Sequence, residues 1–407
     1  MNIVLRLAWR NLWRHARRTW LTIGAMVFSN TLLVFMISFQ FSMYELMIDN
    51  SLRVFTGHMQ VQAPGYNDDQ KMRQVVPGVQ PLAEQLRNDL ESDTIAARGW
   101  AFGLASSEAR SYGIGIYGVE PEFEARVSNI PGLIEEGRFL GDIDAMEIVI
   151  GAVLARNLRV GVGDELTLLG SGLDGSFAAA VVNVVGIFES GVKEVDRNIA
   201  EMPLGTFQDV FYMDGAGHQV VLQAATLDDA PTLHNKVAAG LPGDLVVHDW
   251  NVLQPGLKQA IQADMSSAFF MYGILVILVA FSVLNTQLMS VLERTHEFGV
   301  VMALGMKPGR LGRLVMLETA LMGLLGFLLG AAAGALLTYW LSINGLTYPG
   351  MEEMAANFNL PGRVYPQASV AKTVFGPAVV FLFTLLAAVY PAWRLRRLHP
   401  VEAMRSN

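Results

Sequence analysis

Four stretches of this chain carry no Asp, Glu, Lys or Arg: residues 19–44, 265–292, 319–351 and 373–393. In hydrocarbon every backbone N–H and C=O must be satisfied within the protein, which for a single isolated stretch leaves only a helix. Crossing a core of about 30 Å takes about 20 helical residues, and all four stretches are long enough. The expected fold class is therefore an α-helical membrane protein with four spans, at 19–45, 265–290, 314–342 and 372–393. The 407 residues are 52% hydrophobic, too many for an ordinary soluble protein, yet residues 46–264 between the first two spans are mixed in character. That insert is long enough for one or two soluble domains. The remaining connections, 291–313 and 343–371, are short.

Charge orients the spans. Residues 1–18 hold Arg6, Arg10, Arg14, Arg17 and Arg18 and no acid, the 291–313 loop holds Arg294, Lys307, Arg310 and Arg313, and the tail 394–407 holds Arg394, Arg396, Arg397 and Arg405. Residues 45–264 carry 14 basic against 31 acidic side chains, more than accounting for the formal net charge of −8. Arg-dense ends stay in the cytoplasm, so the insert is expected outside, on a multi-pass membrane protein. Arg17-Arg18-Thr19-Trp20-Leu21 is faintly similar to a twin-arginine signal. The apolar run after it is too long for a signal peptide, and a retained anchor is expected. Residues 1–18 read as an amphipathic helix on the inner face. Arg6, Arg10 and Arg14 recur every four residues opposite Leu5, Trp9, Leu12, Trp13 and Ala16. With no cysteine, the chain has neither disulfides nor thiol chemistry.

The insert reads as α+β. Residues 57–62 begin with strand alternation, Pro81–Leu90 as a helix, and 147–154 as an apolar core run. Strands at 165–169 and 178–188 flank a turn at Asp174-Gly175, which makes 163–188 a hairpin. Helix returns near Leu204–Phe211 and Ala230–Ala239.

Between the second and third spans, VLERTHEFGVVMALGMKPGRLGRLVMLE begins as a short helix. Glu293 and Glu297 share one face, Phe298 and Met302 another, and Thr295, Gly299 and Ala303 form a stripe of small residues. Gly305 is a natural stop, and Lys307-Pro308-Gly309 turns the chain. Gly inside a helix costs roughly 1 kcal/mol against Ala, so a bare face at Gly299 suits close docking. Polar residues inside spans, Asn30, Gln40, Asn285 and Gln287, are candidates to line a substrate path or a helix interface. Gly326, Gly330 and Gly334 put three glycines on one face of the third span, for packing within the subunit or between two.

E-R-T-x-E-x-G-x-x-x-A-L-G followed by a basic helix resembles the cytoplasmic loop of FtsX-like permeases, the MacB and LolC/LolE superfamily of ABC transporters. Further likenesses run through Gly137-Arg138-Phe139-Leu140, Val149-Ile150-Gly151, Gly161-Val162-Gly163-Asp164 and Val184–Phe188, in the order typical of MacB-type periplasmic domains. Phe188–Asp196 is similar to the LolC/LolE group, and Tyr390-Pro391-Ala392-Trp393-Arg394 with Pro400-Val401-Glu402-Ala403-Met404-Arg405 matches the family's ending. The resemblance implies that residues about 120–190 form an outer lobe. It also implies that Glu293, Arg294, Glu297, Phe298, Gly299, Met302, Ala303 and Gly305 couple to an ATPase dimer. This chain has no G-x-x-x-x-G-K-[ST] loop, so ATP and magnesium are expected on that partner and no cofactor here. A second permease, identical or a paralogue, completes the assembly, and a periplasmic chaperone or adaptor is a further expected partner.

The implied function is extraction or export of a lipidated or amphiphilic substrate, with lipoprotein release as one form. The alternatives are efflux in a MacB-like tripartite system and an FtsX-like regulator of a cell-wall hydrolase. Enzyme chemistry finds no support. Two G-x-G-x-x-G matches, at Gly113-Gly115-Gly118 and Gly170-Gly172-Gly175, open no helix, and His296-Glu297 lacks the second histidine of a zincin. The acidic clusters Glu122/Glu124 and Glu135/Glu136 read as solvated surface. The basic residues flank the membrane, and no nucleic-acid partner is expected.

Overall fold

The computed structural model describes residues 3–14, 16–347, 363–367 and 369–395. The chain divides into a helical unit, drawn from its start to Tyr44, Ile261–Thr347 and Arg363 onward, and an inserted unit over Glu45–Ala260. Most of the 343–371 connection lies outside the described residues, as does the tail from Arg396 with its Pro400–Arg405 motif.

Helix α1 (Ile3–Arg14) buries Ala8 and Leu12 and leaves Trp9 and Trp13 exposed. Helix α2 (Ala16–Ser51) is continuous well past the expected end of the first span and passes into a π-turn, Leu52–Thr56. Gly57 ends it at φ 75°, where a Cβ would stand 2.4 Å from Val221 Cγ1. Only glycine meets both demands.

The inserted unit follows. In chain order it contains β1 (Met59–Gln62), α3 (Tyr66–Asp69), α4 (Val79–Leu90), β2 (Ile95–Ser106), β3 (Ser111–Val119), α5 (Pro121–Val127) and β4 (Ile134–Gly137). Then come β5 (Glu147–Gly151), α6 (Ala152–Leu158), β6 (Glu165–Ser171), β7 (Phe177–Phe188), α7 (Lys193–Asn198), β8 (Ile199–Pro203) and α8 (Leu204–Val210). β9 (Gln219–Leu222), α9 (Ala230–Gly240), β10 (Val246–Asp249) and α10 (Trp250–Leu253) complete it. The strands form one ten-stranded sheet in the order β10-β1-β9-β2-β3-β8-β5-β7-β4. β6 pairs with both β2 and β7, so the pairings β2-β3-β8-β5-β7-β6 form a closed circuit. Residues 120–190 supply β4 to β7 of this same sheet.

Alternation explains the core. Ile114 and Ile116, Leu166 and Leu168, and Val182 and Val184 each lie two apart and are fully buried together. The 163–188 hairpin runs antiparallel from Glu165↔Asn183 to Ser171↔Phe177, with Gly175 at φ 86° in its turn. The 147–154 run is a strand that becomes helix α6 after Gly151, where a Cβ would meet the Asp196 backbone at 2.3 Å.

The chain then enters α11 (Pro255–Glu293), α12 (Thr295–Ala303), α13 (Pro308–Asn344) and α14 (Val370–Leu395). Helices α2, α11, α13 and α14 are each long and apolar enough to cross a membrane. α13 starts at Pro308, six residues before the expected span, because proline suits the first helical turn.

Candidate functional site

A single residue, Arg294 at φ −99° and ψ 9°, separates the end of α11 from the start of α12. At its other end Gly305 takes φ 99°, and Met306 N–H returns to Val301 O at 3.2 Å, the cap expected of a glycine there. Between these stops α12 packs Phe298 and Met302 against Val291, Leu311, Val315 and Leu395.

That packing takes in one residue of the expected docking stripe, while Ala303 stays exposed. Gly299 is buried along with Phe298 and Met302, Thr295 is half-buried and Ala303 is exposed. A nine-residue helix held between α11 and α13 has to bury its apolar pair, and Gly299, next to Phe298, turns in with it. The surface left open is His296, Val300, Ala303 and Leu304, with Leu304 84% exposed.

The charged residues point to neighbours in the same unit. Arg18 makes two bonds of 2.7 Å to the Glu293 carboxylate, and Arg14 reaches Glu297 at 2.7 Å. Arg294, expected to face a partner, is buried: its Nη1 lies 3.1 Å from Glu318 Oε2 and its guanidinium 5.0 Å from the Phe298 ring. Asn11 Nδ2 donates to Glu318 Oε1 at 2.7 Å. Glu318 therefore ties α1, α12 and α13 together. Gln287, from α11, lines a polar cavity of about 30 Å³ beside these groups, room for about one water.

Further along α13, a Cβ on Gly326, Gly330 or Gly334 would meet Met26, Asn30 or Val34 at 2.7, 2.4 and 2.6 Å. The glycines mesh with every fourth residue of α2 in the same chain. Asn30, 1% exposed, donates its Nδ2 to Gly326 O at 3.0 Å. It acts as interhelical glue, since a polar group in lipid needs a partner. Asn285 is exposed on α11.

Gln40 sits at the opposite end of the spans. Its Nε2 donates to Tyr44 Oη at 2.7 Å and to Asp264 Oδ2 at 3.1 Å, and its Oε1 accepts from Tyr272 Oη at 2.5 Å. This knot borders a cleft of about 720 Å³ among α2, α11 and α14, walled by Ile37, Phe41, Phe269, Val374 and Phe375. Lys372, also on the wall, holds its ammonium 5.5 Å from the Phe41 ring. Sequence reading found Gln40 but missed Tyr44, Asp264, Tyr272 and Lys372. The available signals were the four-residue spacing of Gln40 and Tyr44 and the place of Asp264 and Lys372 as the last charges before two apolar runs.

The two glycine motifs hold no phosphate loop: Gly113–Gly118 lies within β3 and Gly170–Gly175 within the β6–β7 hairpin.

Two family descriptions match the chain. The MacB-like periplasmic core domain matches residues 19–239, and the FtsX-like permease C-terminal region matches 269–400. Among curated relatives, the lipoprotein-releasing system transmembrane protein LolC of Xylella fastidiosa (strain Temecula1) is 27% identical over 71% of this chain and 72% of its own. LolE of Haemophilus influenzae is 25% identical over 72% of each chain. The macrolide export protein MacB of Sodalis glossinidius is 33% identical over 31% of this chain and 17% of its own.

Proposed function

The chain belongs to the MacB-type, FtsX-like family of ABC transporter permeases, and from that premise we propose that it is the membrane subunit through which a separate ATPase works on a lipidated substrate. On this reading the Arg-rich helix α1 and α12 face the cytoplasm and the inserted unit lies in the periplasm. The carrying observation is the open apolar ridge of Val300, Ala303 and Leu304 on a helix whose other faces are clamped to its own chain. Leu304, 84% exposed, and Val300 beside it support a docking contact for that partner. Force applied there enters α13 through Arg294–Glu318 and α2 through the meshed glycines.

The substrate end is the cleft bordered by Gln40. Its apolar walls and its cation at the rim suit acyl chains beneath a polar or anionic head. Lipoprotein release, the activity named for the LolC and LolE relatives, is the form of the function we favour. A second permease and an ATPase dimer complete the transporter.

The test is co-purification with the ATPase and its ATP turnover. Leu304→Asp should leave the protein folded in the membrane while cutting ATPase association about tenfold or more. Unchanged association would remove the ridge from the mechanism.

A further inference from the structure

A second cavity, about 130 Å³, lies wholly within the inserted unit, between β1, β9, β2 and β3 and the π-turn Leu52–Thr56. Strand alternation builds its polar wall. Met59 and Val61 enter the core, so Gln60 and Gln62 point to the other face of β1. The β1–β9 register then sets Gln219 directly opposite Gln62. These three amides are only 5%, 2% and 5% exposed. Burying amides is costly unless something answers their hydrogen bonds.

Part of the answer is internal. Gln62 Nε2 donates to Gln60 Oε1 at 2.6 Å, and Gln60 Nε2 donates to Thr56 O at 2.7 Å. This chain of bonds orients the amides; Gln62 Oε1, itself closed off from solvent, has no partner among the described residues. Trp100 and Tyr117, paired across β2 and β3, supply aromatic surface to the same cavity.

The lining limits what can enter. Among the described residues no charged side chain contributes to it, so a carboxylate, phosphate or ammonium would lose its hydration uncompensated there. The nearby Arg98 is already committed to Glu124 and to Phe55 O. An extended peptide has no strand edge to join, because β1 is paired on both sides by β10 and β9. What remains is an uncharged molecule with hydroxyls for the amides and an apolar face for the rings. We propose that this cavity binds a neutral polyhydroxylated ring, a single sugar unit, between the Gln60/Gln62/Gln219 amides and the Trp100 and Tyr117 rings. Phe55 and Thr56 stand just after α2 and Leu253 just before α11, so the ring would touch both chain connections of the insert.

The proposal stands apart from the transport reading and is tested without an ATPase. The full chain, in nanodiscs or a detergent that carries no sugar, is titrated with glucose and with N-acetylglucosamine. Saturation-transfer NMR and tryptophan fluorescence read the binding. At least one sugar should bind saturably, and Gln62→Leu should weaken it about tenfold or more. Asn67→Ala, at the half-buried rim, keeps the fold and should also weaken it, so the outcome does not hang on a core substitution. Absence of saturable binding by either sugar would overturn the proposal. So would unchanged affinity in Asn67→Ala, or in Gln62→Leu of native circular dichroism, and so would binding of acetyl-glycinamide in place of both sugars.

Discussion

Replacing Glu318 with leucine isolates the contact on which the α12 end of the spans turns. In the native protein Arg294 and Glu318 keep only 11% and 8% of their side-chain surface exposed, and Asn11 holds the second carboxylate oxygen. Glu318→Leu leaves a guanidinium buried and unpaired, which costs about 3–5 kcal/mol. Some of that returns, because Arg294 Nε lies 3.7 Å from the half-exposed Glu297 carboxylate and can swing toward it. An exposed pair recovers at most about 1 kcal/mol, so the expected net loss is about 2–4 kcal/mol. Arg294→Met with Glu318→Leu removes both charges, and such a replacement is often neutral to within about 1 kcal/mol. The assay is unfolding by SDS in mixed micelles for the wild type, both single variants and the double variant. A coupling energy of about 2 kcal/mol or more is expected. Single-variant losses below about 1 kcal/mol that simply add would refute the claim that this pair locks α12 to α13. ATP turnover of the assembled transporter supplies an independent reading. The double variant should regain stability without regaining substrate-coupled turnover, since the link itself is gone.

Gly330→Val should separate α2 from α13, because its Cβ would fall 2.4 Å from Asn30 Cβ. Overpacking of this kind costs about 1–3 kcal/mol, readable in the same SDS titration. In the inserted unit, buried His218 accepts from Trp100 N–H through Nδ1, its Nε2 lies 3.2 Å from Met72 O, and burial lowers its pKa to about 4. The unfolded chain takes a proton near pH 6.5 and the folded one near pH 4. Its contribution to stability is therefore intact above 6.5 and falls by about 3 kcal/mol in total between 6.5 and 4. Denaturant midpoints against pH should show this slope in the wild type and lose most of it in His218→Gln. Glu201 has the opposite sign: burial, and then Glu124, hold its carboxyl protonated above its usual range, so its contribution fades as pH rises past 4.5. Glu201→Gln should raise stability at pH 7 more than at pH 4, and equal effects at both would refute the assignment.

How much of this was legible beforehand follows from the range over which each feature is determined. The spans depend on uninterrupted composition, and Thr19–Tyr44 or Thr373–Trp393 announce themselves without reference to any other segment. The hairpin around Asp174-Gly175 is equally local, set by alternation and a turn residue of positive φ. The glycines at 326, 330 and 334 declared a close-packed face but not the partner, which needs the four-residue spacing of Met26, Asn30 and Val34 on a helix about 300 residues earlier. The burial of Gly299 has a related reason. In isolation the Gly299 stripe is the distinctive one, yet Phe298 and Met302 decide which side of α12 turns inward, and they do so through Leu311, Val315 and Leu395. The continuity of residues 120–190 with the rest of the sheet is likewise set by β6 meeting β2 across about 60 residues of chain.

The contacts of α12 differ in strength, and that difference says where the unit can give. Arg14–Glu297 and Arg18–Glu293 join side chains that are 34–58% exposed, and pairs of that kind contribute about 0–1 kcal/mol each. Arg294–Glu318 is buried, and the Phe298/Met302 contacts behind it form a continuous apolar cluster. If α12 takes the load, it moves with α13 as one body, while its ion pairs to Arg14 and Arg18 exchange partners at little cost. α13 in turn cannot rotate against α2 without driving the Asn30 side chain off Gly330, so displacement passes on to α2 chiefly as sliding or tilt. α2 carries Ile37, Gln40, Phe41 and Tyr44 on the wall of the cleft at the other end of the spans. A shift of that one helix changes the width of the cleft directly, and no deformation inside any helix is needed to connect the two ends.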